Sequence, residues 1–334
     1  MRHLYAFELS GEHPTLPRSE VLALLEIHSQ GYKEVDWLDQ CLVMEIDRPD
    51  LPSLGRRLAL THRVMEMIAI SPARSSAISA AMRDVDLPVL RYRIRARKIK
   101  EGDLSGQDVE REVGRALFGR GYKADLTCPE MELRGLVIGD RVVLGKVVAS
   151  IDRSGFEGRR PHKKPFFYPG VLMPRMARAF VNLSQAREGE RLLDPFAGTG
   201  GILVEACLAG MRGVGLDVQE KLVRGSRANL AGLDCALLVG DALRLPLADG
   251  SIQSVVSDTP YGRSALIRAP SRDRLLEDSL VEMRRVLQEG RRMVVVADRP
   301  ISDPIERAGF TALEVHQDRV HRSLTRHIFV CSGI

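Results

Sequence analysis

Two short segments carry most of the chemistry that residue type and spacing alone suggest. The first is Asp194-Pro195-Phe196-Ala197-Gly198-Thr199-Gly200-Gly201. It closes a stretch that reads as a strand over 190–194 and leads into a helical pattern over 201–209. Gly198, Gly200 and Gly201 permit a tight turn and a close approach of backbone to a ligand, which a Cβ would obstruct. No Gly-Lys-Ser/Thr follows, so the turn is not a P-loop. A dinucleotide site stays open on this pattern alone. The carboxylate of Asp194, however, would lie badly beside a pyrophosphate and suits a cationic ligand such as a sulfonium with an amino-acid tail. Gly213-Val214-Gly215-Leu216-Asp217 ends the next strand with an acid placed to accept ribose hydroxyls. Gly240-Asp241-Ala242 ends the third. Each acid could instead cap the following helix; their succession at strand ends favours a ligand.

With Asp-Pro-Phe before the glycines, the turn resembles motif I of S-adenosylmethionine-dependent methyltransferases. The resemblance implies a cofactor-binding set of Asp194, Ala197, Gly198, Thr199, Gly200, Gly201, Asp217, Val218, Asp241 and Ala242, with Asp241 meeting the adenine amino group. The second segment, Asp258-Thr259-Pro260-Tyr261-Gly262, ends the strand over 252–258. It resembles the Asp/Asn-Pro-Pro-Tyr motif of amino-directed methyltransferases. An exocyclic amine on a base is a poor nucleophile because its lone pair is delocalised into the ring. A carboxylate and a main-chain carbonyl, each accepting one N–H, hold the nitrogen closer to tetrahedral and aim its lone pair. Asp258 and the Thr259 carbonyl take these parts, and Tyr261 offers a stacking face to a base removed from its helix. Thr259 stands where proline is common. The acceptor there is a carbonyl that threonine also has, and Pro260 keeps Thr259 extended. The expected catalytic set is Asp258, Thr259, Pro260 and Tyr261. No cysteine falls in the motif, which points to nitrogen rather than carbon as the target.

These segments need a scaffold that brings strand ends together. After Met173 the pattern alternates: strands over 190–194, 213–217, 235–240, 252–258 and 291–297, helices over 174–185, 201–209, 219–232, 272–289 and 303–308. Such alternation predicts a parallel sheet covered on both faces. Two last strands, about 311–320 and 324–332, form a hairpin. A mostly parallel sheet finished by a hairpin resembles the Rossmann-like methyltransferase fold, so the fold class is α/β preceded by α+β units.

The first seventy residues read as strand, helix, strand, strand, helix, strand, an order that resembles a ferredoxin-like unit. Over 71–150 the notable segment is Arg91-Tyr92-Arg93-Ile94-Arg95-Ala96-Arg97. As a strand it places Arg91, Arg93, Arg95 and Arg97 on one face. A helix near 107–119 and a hairpin of 131–138 with 141–149, turned at Gly139-Asp140, follow. With Ala124-Asp125-Leu126, this arrangement resembles the THUMP domain of RNA-modifying enzymes; an ordinary solvated strand edge is the plainer reading. A basic linker over 151–170 contains Arg159, Arg160, Lys163 and Lys164 among Gly158, Pro161 and Pro165, and these cations could meet phosphate. The methyltransferase domain occupies 171–334.

Composition bounds the rest. At 334 residues with 44% hydrophobic content the chain can hold two or three domains. It shows no apolar run long enough to span a bilayer and no apolar core of a signal peptide at its start, so a cytoplasmic location is expected. The five cysteines are scattered and form no C-x-x-C pair, which predicts neither a disulfide framework nor a zinc module, and no metal. The net charge of +5 is spread evenly: 27 Lys/Arg against 24 Asp/Glu through Pro165, and 22 against 20 after it. Nucleic-acid binding must therefore rest on local clusters.

Over essentially its whole length the chain resembles the archaeal tRNA guanosine-10 N2-methyltransferases. The junction Phe166-Phe167-Tyr168-Pro169-Gly170, the helix Met176–Leu183 and the closing His321-Arg322-Ser323-Leu324-Thr325-Arg326-His327 add to that likeness. The resemblance implies S-adenosyl-L-methionine as cofactor, a tRNA partner bound by Arg91, Arg93, Arg95, Arg97, Arg159, Arg160, Lys163 and Lys164, and N2-methyl- or N2,N2-dimethylguanosine as product. No obligatory protein partner is evident from the sequence. Another tRNA position, ribosomal RNA, or a non-catalytic RNA-binding protein that retains S-adenosylmethionine are the other readings.

Overall fold

A computed structural model describes residues 2–88, 91–260 and 271–333. The first half contains β1 (Arg2–Leu9), α1 (Leu16–His28), β2 (Gly31–Leu38), β3 (Cys41–Asp47), α2 (Leu51–Arg57), β4 (Thr61–Pro72), α3 (Ser75–Ala81), β5 (Arg91–Lys100), α4 (Gly106–Phe118), β6 (Lys123–Ala124), β7 (Met131–Ile138) and β8 (Arg141–Ser150). The second contains α5 (Ser154–Gly158), a 3₁₀ turn at Pro161–Lys163, α6 (Pro174–Leu183), β9 (Arg191–Asp194), α7 (Gly201–Leu208), β10 (Arg212–Asp217), α8 (Glu220–Asn229), β11 (Cys235–Val239), β12 (Ser254–Asp258), α9 (Arg272–Val286), β13 (Arg292–Ala297), α10 (Ser302–Arg307), β14 (Phe310–His321) and β15 (Leu324–Gly333).

The chain divides into two compact units. One comprises 1–12, 28–55 and 61–152; the other comprises 13–27, 56–60 and 153–334. In the first unit the eight strands form a single sheet in the order β2-β3-β1-β4-β8-β7-β5-β6. The strand–helix order expected for 1–70 is present, but position 70 falls inside β4, and β4 pairs with β8 over most of its length. The sheet therefore runs without a break across the expected boundary. Helix α4 starts at a capping box, where the Asp108 N–H donates to Ser105 Oγ and the Ser105 N–H donates to Asp108 Oδ2. Its Val109, Val113 and Leu117 are fully buried with Tyr92 of β5. The period-two reading of β5 thus places the apolar face as expected.

In the second unit β11, β10, β9, β12 and β13 are parallel, and β15 and β14 follow antiparallel, in the order β11-β10-β9-β12-β13-β15-β14. Strand order reverses between β9 and β12, which pair directly. The carboxyl ends of those two strands, where a crevice opens in such a sheet, are Asp194 and Asp258. Apolar cores fill both faces: Phe180, Leu203 and Val256 are fully buried in one, and Val255, Leu280 and Met283 in the other.

Helix α1, expected within the first unit, belongs in large part to the second. Its Leu16 and Ala23 join the core of α6 and α7. Glu20, fully buried, accepts from the Ala59 and Leu60 N–H groups at 3.0 and 2.8 Å and from Asn182 Nδ2 at 2.7 Å. Asn182 Oδ1 in turn accepts from Arg57 Nε at 3.0 Å, and the Arg57 guanidinium donates to the Ala186 carbonyl. His13 Nδ1 accepts the Thr15 and Leu16 N–H groups at the start of α1, while Nε2 donates to the Gln317 carbonyl of β14. A polar residue on the apolar face of an amphipathic helix is tolerated because every donor it meets is a fixed partner.

Candidate active site

A cleft of about 360 Å³ lies over the ends of β9, β10 and β12, within the usual range for small-molecule sites. Its floor is the glycine-rich turn. The Ala197 N–H donates to the Leu216 carbonyl at 2.9 Å and the Gly200 N–H returns to the Ala197 carbonyl at 2.7 Å. Gly200 has φ +77°, and a Cβ there would stand 2.8 Å from Leu230 Cδ1. Only glycine meets both demands. Thr199 is buried, and its carbonyl accepts from Asn229 Nδ2 at 2.9 Å.

The carboxylates arrive as the parallel ladder dictates. Asp194, 2% exposed, accepts from the Phe196 N–H at 3.2 Å and from Ser257 Oγ at 3.4 Å. Burial, reinforced by the neighbouring Asp258 and Asp217 charges, pushes its carboxyl up to about 8. Asp217 Oδ2 accepts from the Gly198 N–H at 3.0 Å and Oδ1 from the Gln219 N–H at 2.8 Å. Burial also raises Asp217. Each of its oxygens keeps a further lone pair for a hydroxyl. Asp241 is exposed, and its Oδ1 accepts the Leu243 N–H at 3.0 Å. Val218 and Ala242 complete this side of the cleft, so all three strand-end acids and the glycine turn border one space.

Asp258, Thr259 and Pro260 line the same cleft. Thr259 is 7% exposed, and both its N–H and its Oγ1–H donate to the Val296 carbonyl of β13, at 3.0 and 2.7 Å. Threonine at this place is thus a two-point anchor to the neighbouring strand, a use that the motif alone did not reveal. Tyr261 lies outside the described residues.

Several cleft residues were not among the expected site residues. Tyr168, Pro169, Gly170, Val171 and Leu172 line it, as do Phe196, Leu222 and Leu275. Asn229 holds the start of the 166–172 segment: the Phe166 N–H donates to its Oδ1 at 3.0 Å and its Nδ2 donates to the Phe166 carbonyl at 2.9 Å. Gly225 makes room for the Phe166 ring, which a Cβ would meet at 2.3 Å. The aromatic run Phe166-Phe167-Tyr168 was the available signal, since such side chains ahead of a glycine turn can cover a ligand.

The expected RNA-contacting cations fall into two groups. Arg91 pairs with Glu130 at 2.6 Å, Arg93 with Glu132, Arg95 with Glu110 at 3.9 Å, and Arg97 with Glu8 at 3.5 Å. The row exists, but acids from neighbouring elements interleave it. In the segment read as a linker, Arg159 makes a two-point pair with the buried Glu205 of α7, at 2.7 and 3.2 Å, and stacks over Phe156. Arg160 pairs with Glu157 at 2.7 Å. Lys163 is exposed, whereas Lys164 is half-buried with Nζ beside Gly201, 3.7 Å from where a Cβ would stand. Burial lowers the Lys164 ammonium. Arg159 and Lys164 are therefore held against α7 and the glycine turn, because Glu205 supplies a buried countercharge that the local sequence does not show. Among the described residues no three His, Cys, Asp or Glu side chains group as a metal site, and no helix is long and apolar enough to cross a membrane.

Residues 161–328 match the family described as UPF0020, the RMKL-like methyltransferase domain. The chain is 35% identical to the tRNA (guanine(10)-N2)-dimethyltransferase of Methanothermobacter thermautotrophicus, over 98% of both chains. This chain belongs to that family. The Pyrococcus abyssi protein of the same name is 28% identical, over 98% of this chain and 99% of its own. Among solved structures, TrmN from Thermus thermophilus aligns with a TM-score of 0.58 and 25% identity, over 99% of this chain and all of that one. A family member of this fold is an S-adenosylmethionine-dependent methyltransferase. The cleft fits that cofactor: a glycine turn open to close approach, a buried acid at its base, and two more acids at successive strand ends.

Proposed function

We propose that this chain methylates the 2-amino group of a guanosine in tRNA, at position 10, and that it adds two methyl groups in succession. The observation that carries the proposal is that Asp258 and Thr259 border the same cleft as the glycine turn and Asp217. Relatives across the full length of the chain are named tRNA (guanine(10)-N2)-dimethyltransferases, which supports the base, its position and the number of methyl groups.

S-adenosylmethionine supplies an electrophilic methyl on a sulfonium. Asp194 and the glycine turn would hold its amino-acid end, Asp217 would accept its ribose hydroxyls, and Asp241 would meet its adenine amino group. Asp258 and the Thr259 carbonyl accept the two N–H bonds of the guanine amine and turn its lone pair toward the methyl. Asp258 then takes the proton that the methylated amine sheds. Pro260 keeps the strand end extended, and Tyr261 stacks on the flipped base. The first unit, read as ferredoxin-like and THUMP-like parts, grips the tRNA, and the enzyme works in the cytoplasm.

Unmodified tRNA incubated with the chain and S-adenosylmethionine should yield N2-methylguanosine and then N2,N2-dimethylguanosine at position 10 by nucleoside mass spectrometry and nuclease mapping. Asp258→Ala should abolish both products while cofactor binding persists. Equal turnover by that variant, or methylation elsewhere, would overturn the assignment.

A further inference from the structure

Three elements of the second unit meet at Gly213, the second residue of β10. Cys207 comes from the last turn of α7 and Cys235 opens β11. A Cβ built on Gly213 would stand 3.0 Å from Cys207 Sγ and 2.9 Å from Cys235 Sγ. The two sulfurs therefore both border the space that the missing side chain leaves, where the Cys207 thiol donates to the Asp234 carbonyl at 3.2 Å and the Cys235 thiol to the Ala236 carbonyl at 3.8 Å. Both thiols are free and both residues are half-buried, so a small reagent has access. Neither belongs to the cleft. The remaining cysteines differ: Cys41 and Cys331 are buried, and Cys128 lies in the first unit.

We infer that Cys207 and Cys235 are a redox-modification site that closes to a disulfide and staples α7 to β11 across Gly213. Cys207 is the attacking thiol. The neighbouring Cys235 thiol and the Gly213 backbone favour its thiolate, while the closeness of Cys207 and burial push the Cys235 thiol up. The Cys207 thiolate attacks a small oxidised disulfide, which releases one thiol. The Cys235 sulfur, losing its proton, then displaces the second thiol and forms the S–S bond. Two protein thiols lose two electrons and two protons, and one external disulfide gains them. The staple closes a loop that contains β10, α8 and Asp217, and ties down the sheet edge whose far ends carry Asp217 and Asp241. Such a loop closure raises the melting temperature by roughly 5–10 °C. The inference rests on the fold and is independent of which RNA is methylated.

The test uses the full chain treated with oxidised glutathione, then alkylated and digested. The expected result is one cross-linked peptide pair joining Cys207 to Cys235, a loss of two titratable thiols, and a melting temperature raised until a reductant is added. Cys207→Ser and Gly213→Ala should each remove the cross-link, the second by filling the space between the sulfurs. The wild-type peptide map decides the matter even if a variant folds poorly. Stable glutathione adducts on Cys207 without the cross-link, a link between other cysteines, or a cross-link that leaves the melting temperature unchanged would overturn the inference.

Discussion

Replacing Thr259 with proline, the residue commoner in motifs of this kind, should impair this chain, and the structure gives the size of the effect. The Val296 carbonyl receives two donors from Thr259, the N–H at 3.0 Å and Oγ1–H at 2.7 Å. Val296 is completely buried, so water cannot replace them. Proline has neither donor. An abandoned buried carbonyl costs about 1–3 kcal/mol. Asp258 pairs in register with Val296, so the loss falls on the residue pair that would hold the amine. If it is expressed as displacement of that pair in the transition state, kcat/KM falls by roughly 5- to 150-fold. Thr259→Ser keeps both donors and should stay within about twofold of the parent; Thr259→Val keeps only the N–H and should fall between. The assay is single-turnover methyl transfer to unmodified tRNA, with S-adenosylhomocysteine affinity measured in parallel by calorimetry. Affinity should change little, because the glycine turn and Asp217 lie on other strands. A proline variant as active as the parent would refute the reasoning, and so would a serine variant as poor as proline.

Asp194 predicts a pH dependence. Its folded carboxyl is raised from 3.8 to about 8, so its contribution to stability is complete below pH 3.8 and is lost as pH rises toward 8. Binding a cationic group there requires the carboxylate; at pH 7 S-adenosylhomocysteine should bind with release of up to one proton, measured by calorimetry in buffers of different ionisation heat, and Asp194→Asn should abolish that release. Asn182→Ala removes the shared partner of Glu20 and Arg57 and should lower the stability of the second unit by about 3–5 kcal/mol in urea unfolding; an unchanged midpoint would mean that the network does not fasten α1.

The strand ends were legible because each announces itself locally. An apolar run that ends near an acid, with glycine or proline within two residues of it, marks where a parallel strand stops, and Asp194, Asp217, Asp241 and Asp258 all sit at or within two residues of such stops. What stayed hidden depends on residues far apart in the chain. Glu20 reads as a polar interruption on α1 until Asn182, Leu60 and Ala59 are brought to it. That is why α1 was placed with its sequence neighbours. Thr259 reads as a departure from a motif until Val296 arrives from β13.

The arginine row shows the same division and also sorts its members. Alternation correctly gave one face to Arg91, Arg93, Arg95 and Arg97, but the acids Glu8, Glu110, Glu130 and Glu132 come from β1, α4, the approach to β7, and β7 itself. A phosphate would have to displace these carboxylates. Arg134, packed with Glu8 at 2.6 Å where both are buried, cannot exchange partners without leaving a charge stranded in the interior. Burial raises the Glu8 carboxyl, but the Arg134 hydrogen bond and the Arg134 and Arg63 charges outweigh that and hold it below its ordinary value. Glu8 therefore stays ionised and keeps Arg97 in its field. Arg91 and Arg95 are half exposed, and their pairs are open to solvent and weakened by salt. Within the row these two are the arginines for which trading a carboxylate for a phosphate costs least. The reading of this face as an RNA surface therefore stands or falls on Arg91 and Arg95 rather than on the row as a whole.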